Sequence, residues 1–196
     1  MRSSVLLAAT AVLLLAGCSS PAPAPTVASS PPAATTPDVT LLVTATGLQL
    51  VDNDDNVLNA VLYADGPEKV GAYLTGLFAR TPTTAPDGCG TGTASSWGET
   101  IALDVPTAGG APRIIVTGAV GPSAVPILAA PGYGVGENIS DLVTGTPPGQ
   151  VSADAGLVVL DAVPGSSPIA GVIASYDTTG TLQEVVAPAT FATVDC

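Results

Sequence analysis

Short segments in which apolar and polar residues alternate, separated by Asn, Asp, Gly and Pro, recur from residue 39 to residue 187. This alternation is typical of antiparallel β-strands that bury one face, and the separating residues are typical of turns. We therefore predict a sheet-rich domain that begins with a hairpin whose turn is 52–56. The later predicted strands cover 100–105, 113–119, 157–163, 169–176 and 181–187.

One long segment has helical rather than strand periodicity. It follows Asp65, which we expect to be the N-cap, and it has Pro67 and Glu68 in its first turn, where proline and an acid are favoured. The helix should run from about 67 to 80. Its apolar residues form one stripe that can pack on a sheet: Val70, Tyr73, Leu74, Leu77 and Phe78.

A second, shorter helix is predicted at about 139–144, with Asn138 as its N-cap and Asp141 in the position of a capping-box acid. Because strands outnumber helices, the predicted fold class is α+β, with antiparallel sheets, one main amphipathic helix and one short helix. Each half of the sequence places a helix beside strands, which suggests a weak internal duplication.

The first 17 residues have the layout of a secretory signal peptide. Arg2 supplies a positive charge, and the apolar run over 5–16 is too short to span a membrane. The run ends in Leu-Ala-Gly-Cys, which resembles a bacterial lipobox, where a cysteine receives diacylglycerol and becomes the new N-terminus. This resemblance implies that Cys18 is lipidated; an ordinary signal peptide containing a cysteine is the alternative.

Residues 18–37 are interpreted as the lipidated cysteine and a tether. The segment 19–37 contains six prolines and no charged residue, a composition that cannot build a core and favours extended chain. The remaining residues, 38–196, are enough for a single domain. We therefore expect an exported α+β domain, held by its lipid at the extracytoplasmic face of the cell membrane.

Two cysteines remain once Cys18 carries lipid. An even number of cysteines in an exported domain predicts a disulfide, here between Cys89 and Cys196, although two free thiols are the alternative. The bridge would close a loop of roughly 100 residues and hold the end of the chain in place.

The chain has no histidine and a formal net charge of -12. Without an imidazole, the common Ser-His-Asp and Cys-His nucleophiles and most zinc sites are excluded. Nucleic acid is also disfavoured as a partner, because its recognition needs clustered Lys and Arg. We therefore expect neither enzymatic activity nor a cofactor. The alternative is a hydrolase that works with two carboxylates, since that chemistry needs no histidine.

Two local features are candidate sites. Asp52, Asp54 and Asn56 match the first three ligand positions of an EF-hand calcium loop, but the glycine and glutamate that should follow are missing. A plain turn is therefore favoured over a calcium site. Trp97, the only tryptophan, is either an exposed contact for a partner protein or a part of the core.

Several motifs along 39–187 are similar to those of uncharacterised lipoproteins from high-GC Gram-positive bacteria. They are the segment 47–52 with its Asn/Asp turn, the strand ending at Tyr63, Asp65-Gly66-Pro67, the helix end at 74–78, and Trp97-Gly98. Gly134-Val135-Gly136-Glu137 more distantly resembles the tandem α+β modules of β-lactamase-inhibitor and outer-membrane assembly lipoproteins.

The nearer resemblance implies a tethered envelope lipoprotein without an assigned activity. We accordingly expect a protein-binding or structural module that contacts an unknown envelope protein. A lipoprotein that binds calcium or a small ligand is a further alternative.

Overall fold

The computed structural model describes residues 38–87, 92–107 and 111–194. Within these ranges the chain forms 12 β-strands and two α-helices, so the predicted α+β class is confirmed. The strands are β1 Val39–Val43, β2 Gly47–Asp52, β3 Val57–Leu62, β4 Thr83–Pro86, β5 Gly92–Trp97, β6 Ile101–Pro106, β7 Arg113–Val116, β8 Ile127–Ala129, β9 Val151–Ser152, β10 Leu157–Ala162, β11 Gly171–Tyr176 and β12 Leu182–Ala189. The helices are α1 Pro67–Phe78 and α2 Ser140–Gly145.

Four strands form a small sheet in the order β3-β2-β1-β8. Strands β1, β2 and β3 follow one another as antiparallel neighbours, and β8 pairs with β1 in parallel. Leu41 and Val43 of β1 face the core beside Leu48 of β2, because the register pairs Val43 with Leu48. The predicted hairpin around 52–56 is therefore confirmed as β2 and β3.

The other eight strands form a large antiparallel sheet in the order β4-β5-β6-β7-β12-β11-β10-β9. The alternation in β6 buries Ile101 and Leu103, as predicted, and the register places them beside Val116 and Ile114 of β7. Strands β10, β11 and β12 pair in chain order, as predicted. The pairing of β12 with β7 then joins the two halves of the sheet.

Helix α1 packs between the two sheets. Val70, Leu74 and Phe78 are buried, and Tyr73 and Leu77 are partly buried beside them, so the predicted stripe is confirmed. The main core consists of this stripe and the inner faces of both sheets, on which Leu41, Leu48, Ile101, Ile114 and Val185 are buried.

Both predicted ends of α1 need correction. The N-cap is Gly66, because Asp65 belongs to a preceding 3₁₀ turn, Tyr63–Asp65. The helix ends at Phe78 rather than at residue 80, because the backbone of Ala79 is left-handed, with φ of 48°.

Helix α2 begins at Ser140, with Ile139 rather than the predicted Asn138 at the N-cap. Ile139 is buried and stays outside the helix because its backbone, with φ of -114° and ψ of 17°, is not helical; its N–H donates to the carbonyl oxygen of Gly180 at 2.7 Å. The carboxamide oxygen of Asn138 nevertheless accepts a hydrogen bond from the N–H of Ser140 at 3.1 Å. The Asn138 prediction was therefore wrong by one position.

A second apolar cluster lies on the face of the large sheet that is turned away from the main core. Val159, Ile173 and Val186 lie on that face and are buried. Phe191 and Val194, from the segment that follows β12, pack against them. The C-terminal segment 190–194 therefore acts as a cover for this sheet.

Candidate functional site

The largest exposed apolar side chains of the described residues concentrate on β3. Val57 is 54% exposed, Leu58 55% and Leu62 51%, whereas Val61 points into the core and is buried. Strand β3 is the edge strand of the small sheet, so one side of its backbone has no neighbouring strand. Exposed apolar residues grouped on a sheet edge are typical of interaction surfaces rather than of chance exposure.

The exposed patch continues across the small sheet. Cross-strand pairs connect Ala60 to Gln49, Gln49 to Leu42 and Leu42 to Leu128, so these side chains share the face turned away from the core. Leu42 and Leu128 are only half-buried. We call this surface the outer face; its apolar members are Leu42, Val57, Ala60, Leu62 and Leu128.

A groove of about 380 Å³ lies on the other side of the same edge, between the small sheet and α1. It is lined by Leu50, Asn59, Ala72, Tyr73, Gly76 and Leu77. Burial raises the pKa of the Tyr73 phenol, while the nearby backbone of Leu50 opposes that shift. The small residues Ala72 and Gly76 keep the helix side of the groove low and open.

Acidic residues stand at both ends of β3. At its start the turn contains Asp52, Asp54 and Asp55, and after its end come Asp65 and Glu68. Lys69 is the one cation in this part of the sequence, and its ammonium lies 3.5 Å from the Asp65 carboxylate. The edge is therefore an apolar strip between two negatively charged ends.

Hydrogen bonds to Asp52 organise the turn between β2 and β3. The Asp52 carboxylate accepts hydrogen bonds from the N–H groups of Asp54 and Asn56, both at 2.9 Å, and from the Asn56 carboxamide at 3.0 Å. These bonds, led by the one from the Asn56 side chain, lower the pKa of Asp52. Within the described ranges, no group of three or more His, Cys, Asp or Glu residues could hold a metal ion. The plain turn stays the favoured interpretation, because these hydrogen bonds already engage the Asp52 carboxylate.

Trp97 is buried, with only 1% of its surface exposed. Its indole N–H donates to the Thr75 hydroxyl of α1 at 3.2 Å, so the side chain joins β5 to that helix. The prediction of an exposed partner contact at Trp97 is therefore wrong, and the alternative, a core position, is correct.

Two acids, buried Asp104 and half-buried Asp161, were not singled out from the sequence. Asp104 of β6 lies opposite Arg113 of β7, and the Arg113 guanidinium donates two hydrogen bonds to one Asp104 carboxylate oxygen and one to the Thr193 carbonyl oxygen. Asp161 accepts a hydrogen bond from the Ala45 N–H at 2.8 Å and so links β10 to the small sheet. Both acids therefore have structural partners.

Two further cavities bear on the hydrolase alternative. One of about 240 Å³ lies beside Trp97 and has Glu68 as its acid, and one of about 100 Å³ has Glu99. Among their described lining residues, neither these cavities nor the groove beside α1 brings two carboxylates together. They do not supply the acid pair that such a hydrolase needs.

The three cysteines on which predictions were made lie outside the described residues. Lipidation of Cys18 and the bridge between Cys89 and Cys196 therefore stay predictions. In the part of the chain that the structure describes, no helix has the length and hydropathy needed to cross a membrane.

The comparisons with known proteins add no relative. No protein family matches the chain, no curated protein sequence matches it, and no solved structure matches it.

Proposed function

We propose that this chain is a lipid-anchored envelope protein whose domain binds another protein through the outer face and the β3 edge. The observation that carries this proposal is the exposure of Val57, Leu58 and Leu62 together on one edge strand. Left uncovered, such a strand is a liability for a stable exported domain, because it can pair with other chains. A protein partner that covers it would remove this apolar surface from water.

The anchor is the sequence-based part of the proposal. The lipobox-like Leu-Ala-Gly-Cys ending at Cys18 and the proline-rich segment 19–37 support a lipid followed by a tether. An extended tether of this length reaches up to about 60 Å at ~3.1 Å per residue. The domain could therefore contact a partner well away from the membrane surface.

The anchor is tested by labelling cells with a palmitate analogue. The chain should incorporate the label, and the Cys18→Ala variant should not. Equal labelling of both chains would contradict the lipid anchor without affecting the binding surface.

The binding surface is tested by crosslinking in the cell. A photoreactive phenylalanine at Leu62 should give a discrete crosslinked protein, and the same residue at Val120, which is 50% exposed but lies outside the small sheet, should not. The captured protein, once purified, should bind the full chain with an affinity that Leu62→Asp lowers and Val120→Asp leaves unchanged. Equal crosslinking from both positions would contradict a specific surface.

A further inference from the structure

We infer that the partner supplies an extended segment with Lys or Arg at its ends, which adds to β3 as a fifth strand of the small sheet. This inference rests on the proposed function and states which part of a partner the surface would take. It is carried by the open backbone edge of β3 and by the charges at the two ends of that edge.

Three of the four sheet edges in the described ranges are closed to a further strand. At the β8 edge, the outward N–H groups of Ile127 and Ala129 donate to the carbonyl oxygens of Ala119 and Tyr133, each at 2.8 Å. Strand β9, at one edge of the large sheet, has only two residues. Very short edges and covered edges are two of the ways in which proteins prevent strand addition.

The third closed edge is β4, which carries a proline. The Asp87 N–H donates to the Gly92 carbonyl, so Thr84 and Pro86 are the β4 residues that face away from β5. Pro86 has no N–H to offer an added strand. Strand β3 has no proline and is six residues long, which makes it the open edge of this set.

Two backbone N–H groups of β3 point to the open side. The Tyr63 N–H donates to the carbonyl oxygen of Thr46, the residue before β2. Because backbone groups alternate in direction along an antiparallel strand, the N–H groups of Ala60 and Leu62 point away from β2. Their N–H groups are held by exposed side chains: Asn59 Oδ1 accepts from Ala60 at 2.9 Å, and Asp65 Oδ2 accepts from Leu62 at 3.2 Å.

These two side-chain acceptors can be replaced by the carbonyl groups of an added strand. Asn59 and Asp65 are both exposed, so releasing their hydrogen bonds returns them to water at little cost. A partner Lys or Arg would then pair with the released Asp65 carboxylate. Side chains on one face of the new strand would extend the outer face, and those on the other would lie toward the groove beside α1.

The charges favour a basic segment over a second copy of this chain. Two β3 strands paired antiparallel about Ala60 would bring Asp54 and Asp55 of one copy toward Asp65 of the other. Like charges brought together destabilise such a pairing, whereas cationic ends on the added segment would be attracted to both ends of β3.

The test uses the purified full chain and a fluorescent peptide of about ten residues, with alternating Val and Thr between lysine pairs. Fluorescence anisotropy should show saturable binding, and a peptide with glutamates in place of the lysines should bind at least about tenfold more weakly at low salt. Proline inside the lysine peptide should abolish binding, because it removes a donor.

Matched proline variants test which edge is used. Ala60→Pro removes an N–H that points away from β2 and should weaken peptide binding by about tenfold or more. Thr84→Pro places the same change on the β4 edge and should leave binding unchanged. If circular dichroism shows that Ala60→Pro does not fold, Asp65→Asn serves instead. This variant keeps an oxygen for the Leu62 N–H but removes the negative charge. It should lower both the affinity for the lysine peptide and the dependence of that affinity on salt.

The outcomes separate this inference from the proposed function. Equal affinity for the lysine and glutamate peptides, or equal loss in Ala60→Pro and Thr84→Pro, would overturn it. A dimer in sedimentation that Ala60→Pro abolishes would also overturn it, with a second copy as the occupant. Crosslinking from Leu62 without peptide binding would remove strand addition and leave the outer face as the binding surface.

Discussion

Arg113 and Asp104 form the buried ion pair of the described residues, and both are more than nine-tenths buried. One Asp104 oxygen accepts from the guanidinium, and the other has no hydrogen-bond partner. Arg113→Ala would leave that carboxylate buried without a counter-charge, so we expect unfolding to become easier by about 3–5 kcal/mol. Urea denaturation monitored by circular dichroism measures this loss.

Two comparisons show whether the loss comes from the unpaired charge. Lys69→Ala breaks the exposed pair with Asp65 and should change the unfolding free energy by about 0.5 kcal/mol or less. The double variant Asp104→Leu/Arg113→Met replaces both charges by apolar groups and should recover most of the stability. A loss in the double variant equal to that in Arg113→Ala would argue against the charge as its cause.

At the scale of single elements, alanine substitutions at two glycines should change the unfolding free energy in opposite directions. A Cβ on Gly47, at the start of β2, would lie 2.2 Å from the Val61 carbonyl oxygen of β3, so Gly47→Ala should destabilise by about 1–3 kcal/mol. A Cβ on Gly76 in α1 would meet no atom within 4 Å, so Gly76→Ala should stabilise by about 0.5–1 kcal/mol through helix propensity. Thermal unfolding of both variants gives the two signs; destabilisation by Gly76→Ala would contradict the open space.

The turn between β11 and β12 gives a pH-dependent prediction. Asp177 accepts hydrogen bonds from the Thr179 hydroxyl and from the N–H groups of Thr179 and Thr181, and the Thr179 hydroxyl is the main cause that lowers the pKa of Asp177. A carboxyl whose pKa is lower in the folded state stabilises the fold above its unfolded pKa, about 3.9, and loses that effect as pH falls through the folded value.

Asp177→Ala should therefore be less stable than the natural chain at pH 7. The difference should shrink as the pH is lowered below about 4, where the natural carboxyl takes up its proton. Urea denaturation of both chains across this range measures the difference. A gap that widens toward low pH would contradict the lowered pKa.

The periodicity of apolar residues within a single segment predicted the elements that bury one face, α1 and β6. The alternation of Ile101 and Leu103 identified β6, and the stripe from Val70 to Phe78 identified α1, because each pattern has the period of its own element. The pairing of β8 with β1 could not be predicted, since turn signals only connect neighbours in sequence.

The candidate surface was missed for a related reason. The predicted hairpin does not specify which residues of its second strand are exposed. The exposure of Val57 and Leu62 follows from the edge position of β3, which the local sequence does not determine. One signal was present: 57–62 contains apolar residues at both odd and even positions, so a one-sided strand had to expose some of them. Trp97 had the opposite outcome, because α1 covers it.

At the scale of the whole molecule, the C-terminal segment 190–194 covers the face of the large sheet that carries Val159, Ile173 and Val186. Phe191 and Val194 pack on that face, and Arg113 holds the Thr193 carbonyl by a hydrogen bond. Cys196, two residues beyond Val194, lies outside the described residues.

The bridge predicted between Cys89 and Cys196 would add a covalent link to a C-terminal segment that the Arg113 hydrogen bond already holds on the sheet. We expect the intact mass of the full chain, measured without reductant, to be lower by two hydrogens than after reduction. Cys196→Ser should remove that difference and destabilise the domain by about 4–5 kcal/mol, the loop-closure value for a loop of roughly 100 residues. Two thiols that react with an alkylating agent in the native protein would contradict the bridge, and the hydrogen bond from Arg113 would then be left to hold the C-terminal segment on the sheet.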